Sequence, residues 1–186
     1  MRPDVYVLNG ISSSGKSSIA RQLQNLLPET YLRFSVDDFV DALPERLTSG
    51  EQGIGFGSDG RVQVDDTFVS LERSWTAGIA AIARAGTGVI LDDVFLGGTA
   101  SQERTRTGLA GLNVCWVGIH CDLAVAVERE AARGDRAPGM AASQIDLVHR
   151  GVGYDVEVDS TDLAPAECAA RIVAAAAAAL GGRNDR

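Results

Sequence analysis

The sequence predicts an α/β fold, one domain built on a parallel sheet, and three observations carry that prediction. Short apolar, β-branched runs recur along the chain (Val5–Leu8, Tyr31–Val36, Gly88–Leu91, Val114–Ile119), as buried strands require. Between them lie stretches with apolar residues at helical spacing, the pattern of crossover helices. The 186 residues are enough to bury a core without disulfide or metal staples.

The first strand, Val5–Leu8, runs into Gly10, Ile11, Ser12, Ser13, Ser14, Gly15, Lys16, Ser17 and Ser18. Within this stretch Gly10, Gly15, Lys16 and Ser17 satisfy G-x-x-x-x-G-K-[ST] without a mismatch. Ser18–Leu27 then places Ile19, Leu23, Leu26 and Leu27 at helical spacing, so the motif has the strand before it and the helix after it that it needs. The glycines let the backbone curl until successive N–H groups point inward at phosphate oxygens. Lys16 supplies a point charge for the β- and γ-phosphates, and the Ser17 hydroxyl is suited to ligating Mg²⁺. A plain glycine-serine turn with an exposed Lys16 is the alternative, and the agreement of pattern with context outweighs it. The expectation is a nucleoside triphosphate site.

Tyr31–Val36 forms the second strand and ends at Asp37-Asp38. Ligands of open parallel sheets bind beyond the carboxyl ends of the strands, where a carboxylate could act as general base for phosphoryl transfer. The competing role is to cap a short helix starting at Phe39. The residues alone leave the two aspartates undivided between these roles. Leu47–Thr67 is glycine-rich and aperiodic, a loop or small hairpin over the site. Helical spacing resumes over Phe68–Ala85, one end of which could wall a substrate pocket.

Gly88–Leu91 ends in Asp92-Asp93. An apolar strand ending in acid is what a phosphate-loop enzyme uses to hold hydrated Mg²⁺ from the far side. Asp92, taken as the first residue after the strand, is the metal candidate; Asp93 is structural or faces substrate. A turn at Val94–Gly98 precedes a polar helix over Ser101–Leu109. Val114–Ile119 is a further strand, with Cys115 and His120 as packing and hydrogen-bonded positions. Leu123–Arg133 is helical and leads to Gly134–Gly139. Arg129 and Arg133 share a helical face, with Arg136 just beyond; a solvated basic face, with Glu130 near Arg133 as its one favourable local ion pair, is the alternative reading. We read this segment, around 129–140, as a lid whose arginines close over the triphosphate and stabilise its charge. Met140–His149 returns to helix, with His149 capping its end. Tyr154–Asp159 is a strand with one wet face, and Ala164–Leu180 closes the chain as an Ala-rich helix.

Composition excludes several classes. The net charge of −8, with no Lys/Arg run, argues against a nucleic-acid partner. Three cysteines without metal spacing fit a reducing compartment. Neither a signal peptide nor a membrane span is expected, which points to the cytoplasm. No obligate protein partner is evident, and no effector segment favours a nucleotide-dependent switch.

These residues together resemble the chloramphenicol phosphotransferase family of P-loop kinases. The resemblance rests on Leu8-Asn9-Gly10 with Ser12-Ser13 and Gly15-Lys16-Ser17, on Val36-Asp37, and on Asp92–Gly98. It continues through Arg133–Arg136 with Gly139–Ala142, then Gly151-Val152 and Tyr154–Asp159. It implies a single domain over residues 1–186, similar to nucleoside monophosphate kinases, with a five-stranded parallel sheet and helices on both faces. It further implies ATP-dependent, Mg²⁺-assisted phosphorylation of a small-molecule alcohol, the primary hydroxyl of chloramphenicol, and so antibiotic resistance. On this resemblance Asp37 is the base, residues 10–18 and Lys16 cradle the phosphates, Ser17 binds Mg²⁺, and Arg133 with Arg136 clamps the triphosphate. A kinase of another small hydroxylated metabolite is the alternative.

Overall fold

The computed structural model describes residues 2–49, 52–133 and 138–181. In chain order its elements are β1 (Val5–Asn9), α1 (Lys16–Leu26), β2 (Tyr31–Ser35), α2 (Val36–Asp41), β3 (Ile54–Phe56), β4 (Val62–Val64) and α3 (Asp66–Arg84). They continue with β5 (Gly88–Asp93), α4 (Thr99–Gly108), β6 (Val114–His120), α5 (Leu123–Arg133), α6 (Met140–Gln144), β7 (Val156–Asp159) and α7 (Pro165–Gly181). Five strands pair in parallel in the order β2-β5-β1-β6-β7, and β3 with β4 forms a separate antiparallel hairpin.

β1 sits at the centre because Val5-Tyr6-Val7-Leu8-Asn9 has no solvated face; all five residues are buried. Its side chains alternate between two cores. Tyr6 and Leu8 pack with Ile19 and Leu23 of α1 and Ile172 of α7, whereas Val5 and Val7 pack with Ile79 and Ala83 of α3. Helices therefore cover both faces. At the edge, β7 buries only Val156 and Val158 and turns Glu157 and Asp159 to solvent. From β1 the chain first moves to one side, to β2 and then β5, and afterwards to β6 on the other side. That reversal opens a crevice at the carboxyl end of β1, the place where open α/β sheets bind ligands.

Three local predictions are corrected. The helix expected from Phe39 starts at Val36, and neither aspartate is its cap. Ser35 is: its Oγ accepts Asp38 N at 3.1 Å while Asp38 Oδ2 accepts Ser35 N at 2.7 Å, a capping box. The helix expected over Met140–His149 ends at Gln144 and continues as turns. Its later carbonyls are taken by distant donors: Val148 O by Asn9 Nδ2 at 2.7 Å, and Arg150 O by Thr99 N at 3.2 Å. The last strand begins at Val156, two residues late, because Asp155 spends its carboxylate on Trp116 N at 2.9 Å.

Candidate active site

Gly10 leaves β1 so close to β6 that a Cβ there would stand 2.4 Å from Ile119 O. Gly15 adopts φ 88°, the left-handed region that glycine enters without strain, and α1 starts on the next residue. This helix has no side-chain N-cap and no acidic residue in its first turn. Its first-turn amides and positive dipole end are suited to an anion. Lys16 in that first turn opposes the dipole unless an anion lies beside it. Its Nζ donates to Gly10 O and Ile11 O, both at 2.8 Å, and the side chain is buried. The Ser13 and Ser14 hydroxyls are buried with no hydrogen-bond partner. Orphaned donors beside a lysine and a helix start fit a polyphosphate ligand.

Beside the loop, Leu8 of β1 pairs with Asp92 of β5, so Asp92 lies within the strand rather than just past it. Ser17 Oγ donates to Asp92 Oδ2 at 2.6 Å. Burial pushes the Asp92 carboxyl above its ordinary pKa, with Lys16 and Ser17 pulling the other way. Asp93 binds Val94 N through Oδ1 at 2.7 Å, and burial followed by Glu72 pushes its pKa up to about 7. Among the described residues no cluster of three or more His, Cys, Asp or Glu could cage a metal. A hydroxyl and one carboxylate instead suit Mg²⁺, which keeps most of its shell as water and phosphate oxygens.

A cavity of about 320 Å³ opens onto this loop, and Ser12, Ser13 and Gly15 to Ser18 line it. Asp37 lines it from the start of α2, while Asp38 is exposed and committed to its capping box. Geometry thus separates two aspartates that the sequence alone leaves equivalent. The stretch 47–67 supplies the hairpin wall, with Ile54, Phe56, Val62 and Val64 facing the cavity and Phe39 and Phe68 packed with Ile54.

The arginines divide. Arg133 lines the cavity from the last turn of α5. Arg136 falls outside the described residues. Arg129 is tied to the backbone, with Nη2 donating to Ser160 O at 2.9 Å and Thr161 O at 3.2 Å. Glu130, which the solvated-face alternative would pair with Arg133, accepts Gly139 N at 2.7 Å and Ala141 N at 2.8 Å. It caps α6, a five-residue helix whose Gln144 accepts Ser12 N at 2.6 Å. Neither residue carries a sequence signal, since the Gln144 contact spans 132 positions.

Behind the loop, Asn9 is fully enclosed. Its Oδ1 accepts Phe95 N at 2.8 Å, and its Nδ2 donates to Val148 O and to the Tyr154 hydroxyl at 2.6 Å. That hydroxyl accepts from Asn9, so its own proton goes to His149 Nδ1, 2.7 Å away. His149 is therefore a neutral acceptor rather than a helix cap, stacked on His120 with centroids 4.2 Å apart. Burial, then His120, lowers its pKa to about 4. Between about pH 4 and 6.5 the unfolded chain binds a proton that the folded chain refuses, so stability falls on acidification. His149→Gln is expected to reduce the loss between pH 7.5 and pH 5 by roughly 1–2 kcal/mol in urea melts at the two pH values, the full linkage of about 2 kcal/mol being trimmed by solvent at the half-buried ring. An unchanged loss would put the proton elsewhere.

A phosphate loop opening at the switch point of a five-stranded parallel sheet, next to a walled cavity, defines the class as a P-loop phosphotransferase. The chain belongs to the chloramphenicol phosphotransferase-like family, whose model matches residues 3–177. It is 31% identical over 170 residues to a protein of Mycobacterium tuberculosis provisionally named an O-phosphotransferase, in strains H37Rv and CDC 1551. That alignment covers 84% of this chain and 75% of the relative. Its fold is shared with a gluconokinase of Sinorhizobium meliloti (TM-score 0.69, 21% identity, 99% of this chain and 98% of that one). A tunicamycin resistance protein of Deinococcus radiodurans gives TM-score 0.62 at 22% identity, covering 91% and 93%. Shikimate kinase of Aquifex aeolicus gives 0.60 at 14%, covering 98% and 99%. No helix among the described residues is long and apolar enough to cross a membrane.

Proposed function

We propose that this chain transfers the γ-phosphoryl group of ATP to the primary hydroxyl of a small neutral alcohol, chloramphenicol first among the candidates, and so confers resistance. One observation carries the reading: the phosphate loop and Asp37 line the same cavity, one wall of which is the apolar hairpin. Bound ATP supplies the phosphoryl group, and Mg²⁺ neutralises its charge. Residues 10–18 would hold the phosphates, with Ser17 and Asp92 on the metal and Lys16 beside the transferring group. Asp37 would accept the proton of the attacking hydroxyl, which raises its nucleophilicity as the bond to phosphorus forms. Arg133, with Arg136 from the lid segment around 129–140, would offset charge on the triphosphate and help exclude water. We take residues 1–186 as one such domain, acting in the cytoplasm on a small molecule without a protein or nucleic-acid partner.

The M. tuberculosis relatives are named for their reaction and not for an acceptor, so a kinase of another hydroxylated metabolite is the second reading. Incubation with ATP, Mg²⁺ and chloramphenicol, followed by mass spectrometry, is expected to show one added phosphoryl group on the antibiotic. If chloramphenicol stays unmodified while another alcohol in a panel gains the group, the second reading replaces the first. If no alcohol gains it, phosphoryl transfer to alcohols is wrong.

A further inference from the structure

The cavity holds an ion pair that the proposed chemistry does not use. Glu72 of α3 and Arg104 of α4 both line it, on the face of the sheet away from α1. Arg104 Nε lies 3.2 Å from Glu72 Oε2, and both side chains are a little over a quarter exposed, at 29% and 28%. Arg104 Nη2 also donates to Ser101 Oγ at 3.2 Å, and that oxygen accepts Gly97 N at 3.1 Å. The guanidinium is thus held toward α3 from two sides. Asp37 and Asp93 line the same cavity.

Away from the phosphate loop and from Arg133, Arg104 is the one cation among the described lining residues, and a carboxylate already occupies it. A carboxylate or phosphate on the acceptor would have to displace Glu72 from Arg104, in a cavity that Asp37 also lines. A neutral polar group meets no such conflict, because the pair offers it both a donor and an acceptor. Specificity of this kind is a difference between two affinities, and a residue that repels the wrong ligand sets it as effectively as one that attracts the right one.

We propose that Glu72 is a specificity-determining residue: by neutralising Arg104 it excludes anionic acceptors that the guanidinium would otherwise attract into the cavity. This rests on the reading of the cavity as the acceptor site. Phenylpropanediol and tropate form a matched pair of probes, since tropate replaces one hydroxymethyl group of the 2-phenyl diol by carboxylate. Binding of each is measured by ligand-observed NMR without nucleotide, and transfer from ATP is measured separately, with chloramphenicol as reference.

The native chain is expected to bind the diol at least about tenfold more tightly than tropate, and Glu72→Gln should shift that ratio at least about tenfold toward tropate. The amide keeps a hydrogen-bond acceptor for Arg104 and removes only the charge. Adding Arg104→Gln should abolish the new affinity for tropate, which a merely structural role for Glu72 would not predict. A ratio unmoved by Glu72→Gln overturns the proposal, as does a native preference for tropate or failure of both probes to bind. Phosphorylated chloramphenicol with an unmoved ratio would sink this inference alone. The expected shift in ratio, with no phosphate transferred to any alcohol, would sink the phosphotransferase reading alone.

Discussion

Asp37→Asn is expected to bind ATP within about twofold of the native affinity while transfer to an alcohol falls by about 10²–10⁴, the usual contribution of a positioned general base. The asparagine occupies nearly the same volume in the first turn of α2, so the cavity keeps its shape. The cap of that helix is made by Ser35 and Asp38, which leaves the fold intact when Asp37 loses its charge. Weakening a favourable charge at a helix start costs about 0.3–1 kcal/mol. Asp38→Asn is the control. It should cost up to about 1 kcal/mol in stability through the weakened capping box and leave transfer near the native rate. Single-turnover transfer and equilibrium nucleotide binding, measured on both variants, separate the roles. Native turnover in Asp37→Asn would remove it as the base, and a collapse of turnover in Asp38→Asn would reassign the role to its neighbour.

The sequence shows local chemistry and hides contacts between distant segments. The phosphate loop could be read because its glycines, lysine and serine all act within nine residues of one another, the glycines through backbone and the other two through their own side chains. The sheet could be read because buried parallel strands are continuous apolar runs. The two aspartates after β2 could not be separated bottom-up. Both occupy the first turn of one helix, and only the orientation of α2 over the sheet decides which enters the cavity. Glu130 and Arg133 sit three apart on a helix and invite an ion pair, yet the Glu130 carboxylate is taken by the amides of Gly139 and Ala141. Unpaired amides at a helix start compete strongly for a carboxylate, but only once the chain has folded back to present them. The same holds for Gln144 on Ser12 and for Glu72 with Arg104, each joined across the fold.

The second large effect is expected at Asn9, which sequence spacing marks only as the residue before Gly10. Asn9→Ala should destabilise the protein by about 2–5 kcal/mol, because three groups lose a hydrogen bond at once and two of them, Phe95 N and Val148 O, are left unsatisfied at about 1–3 kcal/mol each, while the Tyr154 hydroxyl keeps His149. Those groups are Phe95 N, Val148 O and the Tyr154 hydroxyl. They lie on three segments: the turn after β5, the turns after α6, and the approach to β7. One amide side chain therefore sets the spacing of the chain segments around the end of β1, and the phosphate loop begins at the next residue. Nucleotide affinity should consequently fall further than the loss of stability alone requires, measured where the variant is still fully folded. Tyr154→Phe removes one of the three Asn9 bonds together with the bond to His149 but leaves Phe95 N and Val148 O paired, so it should cost about 1–2 kcal/mol and leave nucleotide affinity nearly native. Urea melts and ATP titrations of the two variants distinguish a loop positioned by Asn9 from a core that tolerates its loss. A cost below about 1 kcal/mol for Asn9→Ala, with unchanged ATP affinity, would mean that water replaces the amide and that the loop holds its shape unaided.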